Sequence, residues 1–213
     1  MVGPKTFLPD EASQADARLF APATQRNRQV ILDQLSRALP GDGTVLEIAS
    51  GTGEHAVWFA QHLRPTCWQP SDADPAMRQS IAAHAATADC PTLLPPIALD
   101  VTSETWPIER AEAVVCINLL HIAPWRAAEG LFHGGAKILP PDGVLFLYGP
   151  YKRGGEHTAP SNAAFDESLR ARDPEWGVRD LDEVVALAES TGFALSEVVE
   201  MPANNLSVVF ART

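Results

Sequence analysis

Three acidic side chains and one glycine-rich joint carry the first chemical signal in this sequence. Glu47 stands in "VLEIASGTGEH" (45 to 55), Asp72 in "WQPSDAD" (68 to 74) and Asp100 in "ALDVT" (98 to 102). The joint Ser50-Gly51-Thr52-Gly53 links a β-rich apolar run to a helix-like pattern. Gly51 and Gly53 have no β-carbon, so they permit positive φ and close approach of a ligand to the backbone. The amides of Gly53 and Glu54 open a helix and can face a polar ligand group.

The ligand class follows from what the neighbours of the joint tolerate. A phosphate loop of the Walker type is excluded, because no Gly-Lys-Ser/Thr follows. A dinucleotide fingerprint remains open: Gly51-x-Gly53-x-x-Ala56 fits G-x-G-x-x-G/A, and Asp72 lies at about 20 residues, the expected distance. Glu47 favours a different ligand. An anionic pyrophosphate gains nothing from an acid there, whereas an ammonium or sulfonium does. Asp72 can accept from both ribose hydroxyls and Asp100 from an adenine amino group. In that order the three acids match the donors of S-adenosylmethionine. Each also has a plainer role. Glu47 can be a hydrogen-bonded strand acid, Asp72 and Asp74 can cap the helix that opens at Pro75, and Asp100 can be a turn residue.

Alternating strands and helices position these groups. Residues 25 to 39 put Val30, Ile31, Leu35 and Leu39 on one helical face, and "PGDG" ends that helix. Residues 45 to 49 read as the first strand, 54 to 63 as a helix, 66 to 70 as a strand and 75 to 86 as a helix. Residues 92 to 99 read as a third strand at an edge or irregular position, given Pro95 and Pro96. A buried strand over 111 to 118, a helix over 125 to 139 and a buried strand over 143 to 149 follow. A helix near 181 to 190 then precedes two strands, 193 to 201 and 206 to 213. Apolar strands joined through helices predict a doubly wound α/β fold with a parallel sheet. The short "PANN" link makes the last two strands an antiparallel hairpin. The sheet is thus expected to hold five parallel strands and a closing hairpin. In such sheets the ligand sits beyond the carboxyl ends of the strands, where their order reverses.

The 213 residues suit a single domain over 1 to 213, with residues 1 to 22 loosely structured and 151 to 180 inserted as a lid. With 27 acidic and 16 basic side chains, attraction to nucleic acid or anionic lipid is disfavoured. No apolar run is long enough for a membrane span, and no signal peptide is evident. Cys67, Cys90 and Cys116 form neither a zinc pattern nor a disulfide framework. A cytoplasmic location is expected, with no metal and an undetermined oligomeric state.

The words "VLEIASGTGEH", "RNR", "WQPSDAD", "LDVT", "CINLLHIAPW", "LYGPY", "SNAAFDESLRARDPEWGVRD" and "MPANN" lie between Arg26 and Arg212. The first resembles motif I of class I S-adenosylmethionine-dependent methyltransferases. Together they resemble a small methyltransferase-like family of unknown function. The resemblance implies a Rossmann-like sheet of seven strands and a bound methyl donor. By motif position, Glu47, Ala49, Ser50, Gly51 and Gly53 hold its methionine end, and Arg26 either meets its carboxylate or is plain charge on the helix surface. Asp72 takes the ribose, Asp100 and Val101 flank the adenine, and Asn118 lies near the methyl group. The common motif has glycine where this chain has Ala49; alanine fits if its backbone is extended.

Methyl transfer from a sulfonium is an in-line displacement, for which the protein supplies alignment and a water-poor site. If a base is needed, His121, beyond the end of the fourth strand, is the candidate; its plainer role is packing. Tyr151 either bounds the acceptor pocket or packs. "NLLH" lacks the Asn/Asp-Pro-Pro-aromatic signature of many amino-group methyltransferases. In the lid, Lys152, Arg153, His157, Arg170, Arg172, Arg179 and Trp176 suit an anionic small molecule, or else solvated helix charge. The expected function is direct methyl transfer to a small molecule. The alternatives are an NAD(P)-dependent oxidoreductase and a non-catalytic scaffold with the same fold.

Overall fold

A computed structural model describes residues 17 to 63 and 67 to 213. The elements in chain order are α1 (Pro22–Ala38), β1 (Thr44–Ile48), α2 (Glu54–His62), β2 (Cys67–Asp72), α3 (Pro75–Ala86) and β3 (Ile97–Ala98). Then come β4 (Ala113–Ile117), α4 (Trp125–Ile138), β5 (Val144–Gly149), β6 (Tyr151–Arg153), β7 (Glu156–His157) and α5 (Pro160–Arg172). The chain ends with β8 (Arg179–Asp180), α6 (Leu181–Ser190), β9 (Phe193–Met201) and β10 (Asn205–Arg212).

The main sheet has seven strands in the order β3-β2-β1-β4-β5-β10-β9. Its first five members pair in parallel, and β10 runs antiparallel to both β5 and β9. This is the doubly wound sheet of five parallel strands with a closing antiparallel hairpin that the pattern of elements predicts. Period-2 alternation assigns the two faces. Leu46, Ile48, Val114, Cys116, Leu145 and Leu147 pack against α4 and α6. Val45, Ala113, Val115, Ile117 and Phe146 pack against α1 and α2. Both faces are covered, so β4 is buried along its whole length and reads as one apolar run.

The strand order reverses between β1 and β4, and the turns after these strands diverge to opposite faces. A cleft therefore opens at their carboxyl ends.

Three expectations change. The third strand shrinks to Ile97–Ala98, with an isolated bridge from Leu93 to Trp68, because Pro95 and Pro96 cannot donate to a ladder. Residues 1 to 16, most of the segment read as loose, lie outside the described residues. The rest of it is pinned. The Leu19 amide donates to Ser80 Oγ at 2.8 Å, His84 Nε2 meets the Leu19 carbonyl at 2.8 Å, and the Ala21 amide donates to Glu54 at 2.6 Å. The excursion over 151 to 180 contains its own small sheet, β7-β6-β8, around α5.

Close packing of α4 onto the turn after β3 fixes one wall of the cleft. A β-carbon on Gly130 would lie 2.2 Å from the Val101 carbonyl oxygen. In an isolated helix Ala is better than Gly by about 1 kcal/mol. Forcing a methyl against rigid backbone costs about 1–3 kcal/mol, so the clash wins. Gly130→Ala is expected to destabilise by about 1–2 kcal/mol in urea unfolding; a stabilised variant would show that α4 is free to move off the turn.

Candidate active site

Two neighbouring cavities open at the reversal point. The smaller, about 290 Å³, is lined by Ala49, Asp72, Asp100, Val101 and Leu119 among others. The larger, about 720 Å³, is lined by residues that include Arg26, Asn27, Asn118, His121, Tyr148 and Phe165. The consecutive residues Asn118 and Leu119 line one cavity each, so the turn after β4 separates them. Seven of the residues singled out in the sequence thus divide between two adjoining spaces: Ala49, Asp72, Asp100 and Val101 in one, Arg26, Asn118 and His121 in the other.

Asp72 ends β2 and ties the glycine joint to it. Its Oδ2 accepts from the Gly51 amide at 3.0 Å and its Oδ1 from the Asp74 amide at 2.9 Å. Burial raises its pKa, and the two amides oppose that rise. The helix cap at α3 is Asp74, which accepts from the Ala76 amide, so Asp72 is left to serve the cleft. Each Asp72 oxygen still has a lone pair for a ligand hydroxyl. Asp100 is exposed, and its Oδ1 accepts from both the amide and the hydroxyl of Thr102.

The joint itself is built on positive φ. Gly51 sits at 58° and Gly53 at 91°. Nothing lies within 4 Å of where a β-carbon on Gly51 would stand, while one on Gly53 would meet Ile81 Cα at 2.7 Å. Gly53 is therefore needed for α2 to pack on α3, and Gly51 leaves space for a ligand. Ser50 is buried: its amide donates to the Ser71 carbonyl at 2.8 Å and its Oγ accepts from the Ser71 amide at 3.2 Å. Ala49 is not extended, as the sequence reading required, but left-handed at φ 52°. A β-carbon there costs roughly 1–2 kcal/mol.

Glu47 departs from its expected place. It is buried against the α1 and α2 side, lines neither cavity and accepts from the Trp68 indole at 2.9 Å. Strand alternation explains this, since Leu46 and Ile48 face the opposite layer. Burial pushes its pKa from 4.5 up to about 7, the Trp68 and Ser50 hydrogen bonds opposing and the Asp72 charge adding.

In the larger cavity, Asn118 is left-handed at φ 62°, and its amide donates to the Tyr148 carbonyl at 2.8 Å. A β-carbon on Gly149 would lie 3.3 Å from the His121 ring and 3.5 Å from Asn118 Oδ1, so both side chains close over that glycine. The His121 ring is buried, stands edge-on to Phe165 at 5.5 Å and makes no hydrogen bond among the described residues. Burial, aided by the Arg179 charge, lowers its pKa to about 4. Among the described residues no carboxylate pairs with the ring to stabilise an imidazolium, which argues against His121 as a strong base and for a neutral hydrogen-bonding ring.

Tyr151 does not bound this space. It is buried in the core beneath α4 and α6, and burial drives its phenol well above the usual range. Tyr148 takes the place at the cavity wall, facing Asn27 and Asn205. The reason is alternation: Tyr148 shares a face with Phe146 on the α1 and α2 side, while Tyr151 falls with Leu145 and Leu147 on the side of α4 and α6.

The basic residues over 151 to 180 also turn away from the cavities. Lys152, His157 and Arg170 surround Asp166, each at 3.3 Å. Arg153 meets Glu200 at 3.5 Å, and Arg172 lies over the Trp176 ring. Arg179 donates to the carbonyls of Leu120, Ala123 and Glu175 at 2.9, 2.6 and 2.7 Å. It thereby holds the turn that carries His121, while the Gly177 amide donates to the His121 carbonyl at 3.0 Å. The excursion reaches the larger cavity through Ser161, Asn162 and Phe165 instead. Asn162 Nδ2 donates to the Asn204 carbonyl at 2.9 Å and so joins α5 to the β9–β10 turn. Tyr148, Asn162, Phe165 and the turn residue Ala203 are cavity residues that residue chemistry alone did not single out. Their signal lay in the unusual words "LYGPY", "SNAAFD" and "MPANN". Among the described residues no group of three or more His, Cys, Asp or Glu is placed to hold a metal ion, and no helix is long and apolar enough to cross a membrane.

A family model described as a protein of unknown function (DUF938) matches residues 18–212, so the chain belongs to that family. Among solved structures it is similar to the S-adenosylmethionine-dependent methyltransferase SibL in its apo form, with TM-score 0.74 and 18% identity over 89% of this chain and 55% of that one. It is similar to the mitomycin 7-O-methyltransferase MmcR, with TM-score 0.74 and 17% identity over 90% and 54% of the two chains. A third is human N-acetylserotonin methyltransferase in complex with SAM, with TM-score 0.73 and 14% identity over 90% and 52%. The chain spans about half the length of these structures, and the likeness is one of fold.

Two predictions come from the joint. Ala49→Gly relieves the left-handed β-carbon and is expected to stabilise by up to about 1 kcal/mol, the gain being trimmed by glycine's freedom in the unfolded chain; an unchanged or lower urea midpoint would count against the strain. For Glu47 the folded pKa lies above the unfolded one, so the folded protein holds the extra proton and stability is lost as pH rises from about 4.5 through about 7. Glu47→Gln keeps an acceptor for Trp68 and removes that loss. The variant is expected to gain up to about 3 kcal/mol over the parent at pH 8 and much less at pH 4.5. Equal differences at both pH values, by urea melts, would contradict a buried, titrating Glu47.

Proposed function

Taking membership of this family and its class I methyltransferase fold as the premise, we propose that the chain is an S-adenosylmethionine-dependent methyltransferase acting on a small molecule. One observation carries the reading. A carboxylate at the end of β2, Asp72, faces the smaller cavity beside a glycine joint whose missing β-carbon leaves open space, and a larger cavity adjoins it. The donor's nucleoside thus has the smaller compartment, and its methionine end reaches past the turn after β4 into the larger one, where the acceptor sits.

The residues fit the donor by chemistry. Asp72 accepts the ribose hydroxyls, Asp100 the adenine amino group, and Val101 and Leu119 give the adenine apolar walls. Ala49, Ser50, Gly51 and Gly53 shape the backbone along which the methionine end runs, and Arg26 with Asn27 takes its carboxylate. Glu47 supports the joint from behind: its backbone carbonyl accepts from Ser71 Oγ at 2.7 Å. When bound, the donor supplies an activated methyl group on sulfur. The protein's part is alignment and exclusion of water. Asn118 lies at the border of the two cavities, where a left-handed backbone turns its amide toward the larger one, and His121 and Phe165 form the wall beyond it. The residues over 151 to 180 act as one wall of the acceptor compartment within a single catalytic domain.

Thermal shift and calorimetry test the reading. S-adenosylhomocysteine is expected to raise the melting midpoint by mass action and NAD to leave it unchanged. Asp72→Ala loses a charge-assisted acceptor and is expected to weaken S-adenosylhomocysteine binding by about 1–3 kcal/mol. Asp100→Ala, which removes only a turn contact within the chain, is the control for a direct contact without disturbance of Gly51. A response to NAD alone would favour a dinucleotide enzyme, and no response to either would leave a scaffold.

A further inference from the structure

The larger cavity is chemically lopsided. The chain carries 27 acidic side chains, yet among the described residues no Asp or Glu lines this space. Its polar groups are the asparagines at 27, 118, 162, 204 and 205, with Arg26, Tyr148, Ser161 and His121. A cationic acceptor finds no counter-charge there, and burying an unpaired charge is costly.

Helix α5 adds the opposite preference. Its first turn supplies Ser161, Asn162 and Phe165 to the wall, and its N-cap residue, Ala159, offers no side-chain acceptor. The positive end of a helix of 13 residues therefore faces the cavity without an internal anion. A second, independent feature points to a ligand in the same place. The His121 ring, 5% exposed, lines the cavity and has no partner among the described residues.

The strained backbone marks the same space. Among the described residues five non-glycine positions have positive φ, and three of them, Asn118, Ala203 and Asn204, line this cavity. Left-handed backbone at a non-glycine residue persists where the surroundings enforce it, and it gathers at binding sites.

We propose that the acceptor is a carboxylate, seated between the α5 N-terminus and the asparagine side chains, and that its oxygen receives the methyl group directly. This rests on the methyl-donor reading above and names the acceptor of that site. One carboxylate oxygen forms a bond to the methyl carbon, and the carbon–sulfur bond breaks with its electron pair going to sulfur. The products are a methyl ester and S-adenosylhomocysteine. No proton moves, which suits a site whose one histidine has no carboxylate partner and has Arg179 for a neighbour. Phe165, edge-on to His121, gives a flat apolar wall for the body of an aromatic acid.

The test uses three probes of one shape and different charge: benzoate, benzyl alcohol and benzylamine. Each is titrated by calorimetry into the whole protein saturated with S-adenosylhomocysteine. Benzoate is expected to bind at least tenfold tighter than the alcohol, and the amine not measurably. Asn204 is exposed at the cavity mouth, where it donates to Ser161 Oγ at 3.2 Å. Asn204→Asp places a negative charge there and is expected to weaken benzoate at least tenfold while S-adenosylhomocysteine binding persists. With label from the methyl donor, the product is expected to release methanol in mild alkali. Equal binding of alcohol or amine, or an alkali-stable labelled product, overturns the carboxylate assignment alone. Failure of S-adenosylhomocysteine itself to bind overturns the methyl-donor reading and this inference with it.

Discussion

A single carboxylate, Asp72, ties the end of β2 to the glycine joint after β1 at the edge of the cleft. Its two oxygens take backbone amides from the joint after β1 and from the start of the turn into α3, at 3.0 and 2.9 Å. Hydrogen bonds to a charged acceptor are worth roughly 1.5–3 kcal/mol each. Burial works against the charge, and the net result is a raised pKa, so desolvation wins over the two amides. The joint is therefore held by a group that is itself under electrostatic load. Further donors, such as ligand hydroxyls, would relieve that load, so the same atom serves both architecture and recognition.

Strain is distributed around the same cleft. Among the described residues, four of the five left-handed non-glycine positions line one cavity or the other, and Asp142, in the turn before β5, is the exception. At Ala49 and Ala203 no side-chain hydrogen bond can offset the conformation, unlike the asparagines, for which left-handed backbone is tolerated. The ladder contacts on either side over-determine these positions. Ser50 is fixed to Ser71 and Asn118 to Tyr148 through backbone hydrogen bonds, so the chain has no freedom to relax between them. A fold stable enough to hold such turns in place is one whose sheet is apolar on both faces, as β4 and β5 are.

The sheet was legible in the sequence because periodicity reports burial, and burial is what the sheet depends on. The hairpin was legible because four residues cannot make a crossover. What failed had a physical cause in each case. Glu47 was placed at the ligand because its chemistry suits a cation, but alternation along β1 sends it to the α1 and α2 layer, where Trp68 meets it. Tyr151 and Tyr148 are three residues apart and so lie on opposite faces, and only the layer that each face meets decides which reaches the cavity. The third strand was overextended because apolar residues flank two prolines. The asparagines were hard to weigh because an amide carries no charge pattern and gains meaning only when several elements bring it to one wall.

The excursion over 151 to 180 shows most plainly why charge along a sequence misleads. Its basic residues suggest a surface that grips an anion. In the fold, one acid, Asp166, gathers Lys152, His157 and Arg170, and its other oxygen accepts from the Val178 amide at 2.7 Å. Asp166 is 6% exposed, so these partners compete with a real desolvation cost, and its pKa still falls. These basic side chains are spent on holding α5 to β6 and β7, and the Val178 amide ties in the approach to β8. Arg179 then passes that rigidity on, since its guanidinium satisfies three carbonyls that the turn after β4 and its neighbour leave unpaired. The turn carrying Asn118, Leu119 and His121 is thus braced from outside the main sheet. Moving the excursion away would strip the Leu120 and Ala123 carbonyls of their donor, so these bonds oppose such a movement and hold the positive end of α5 where it faces the larger cavity.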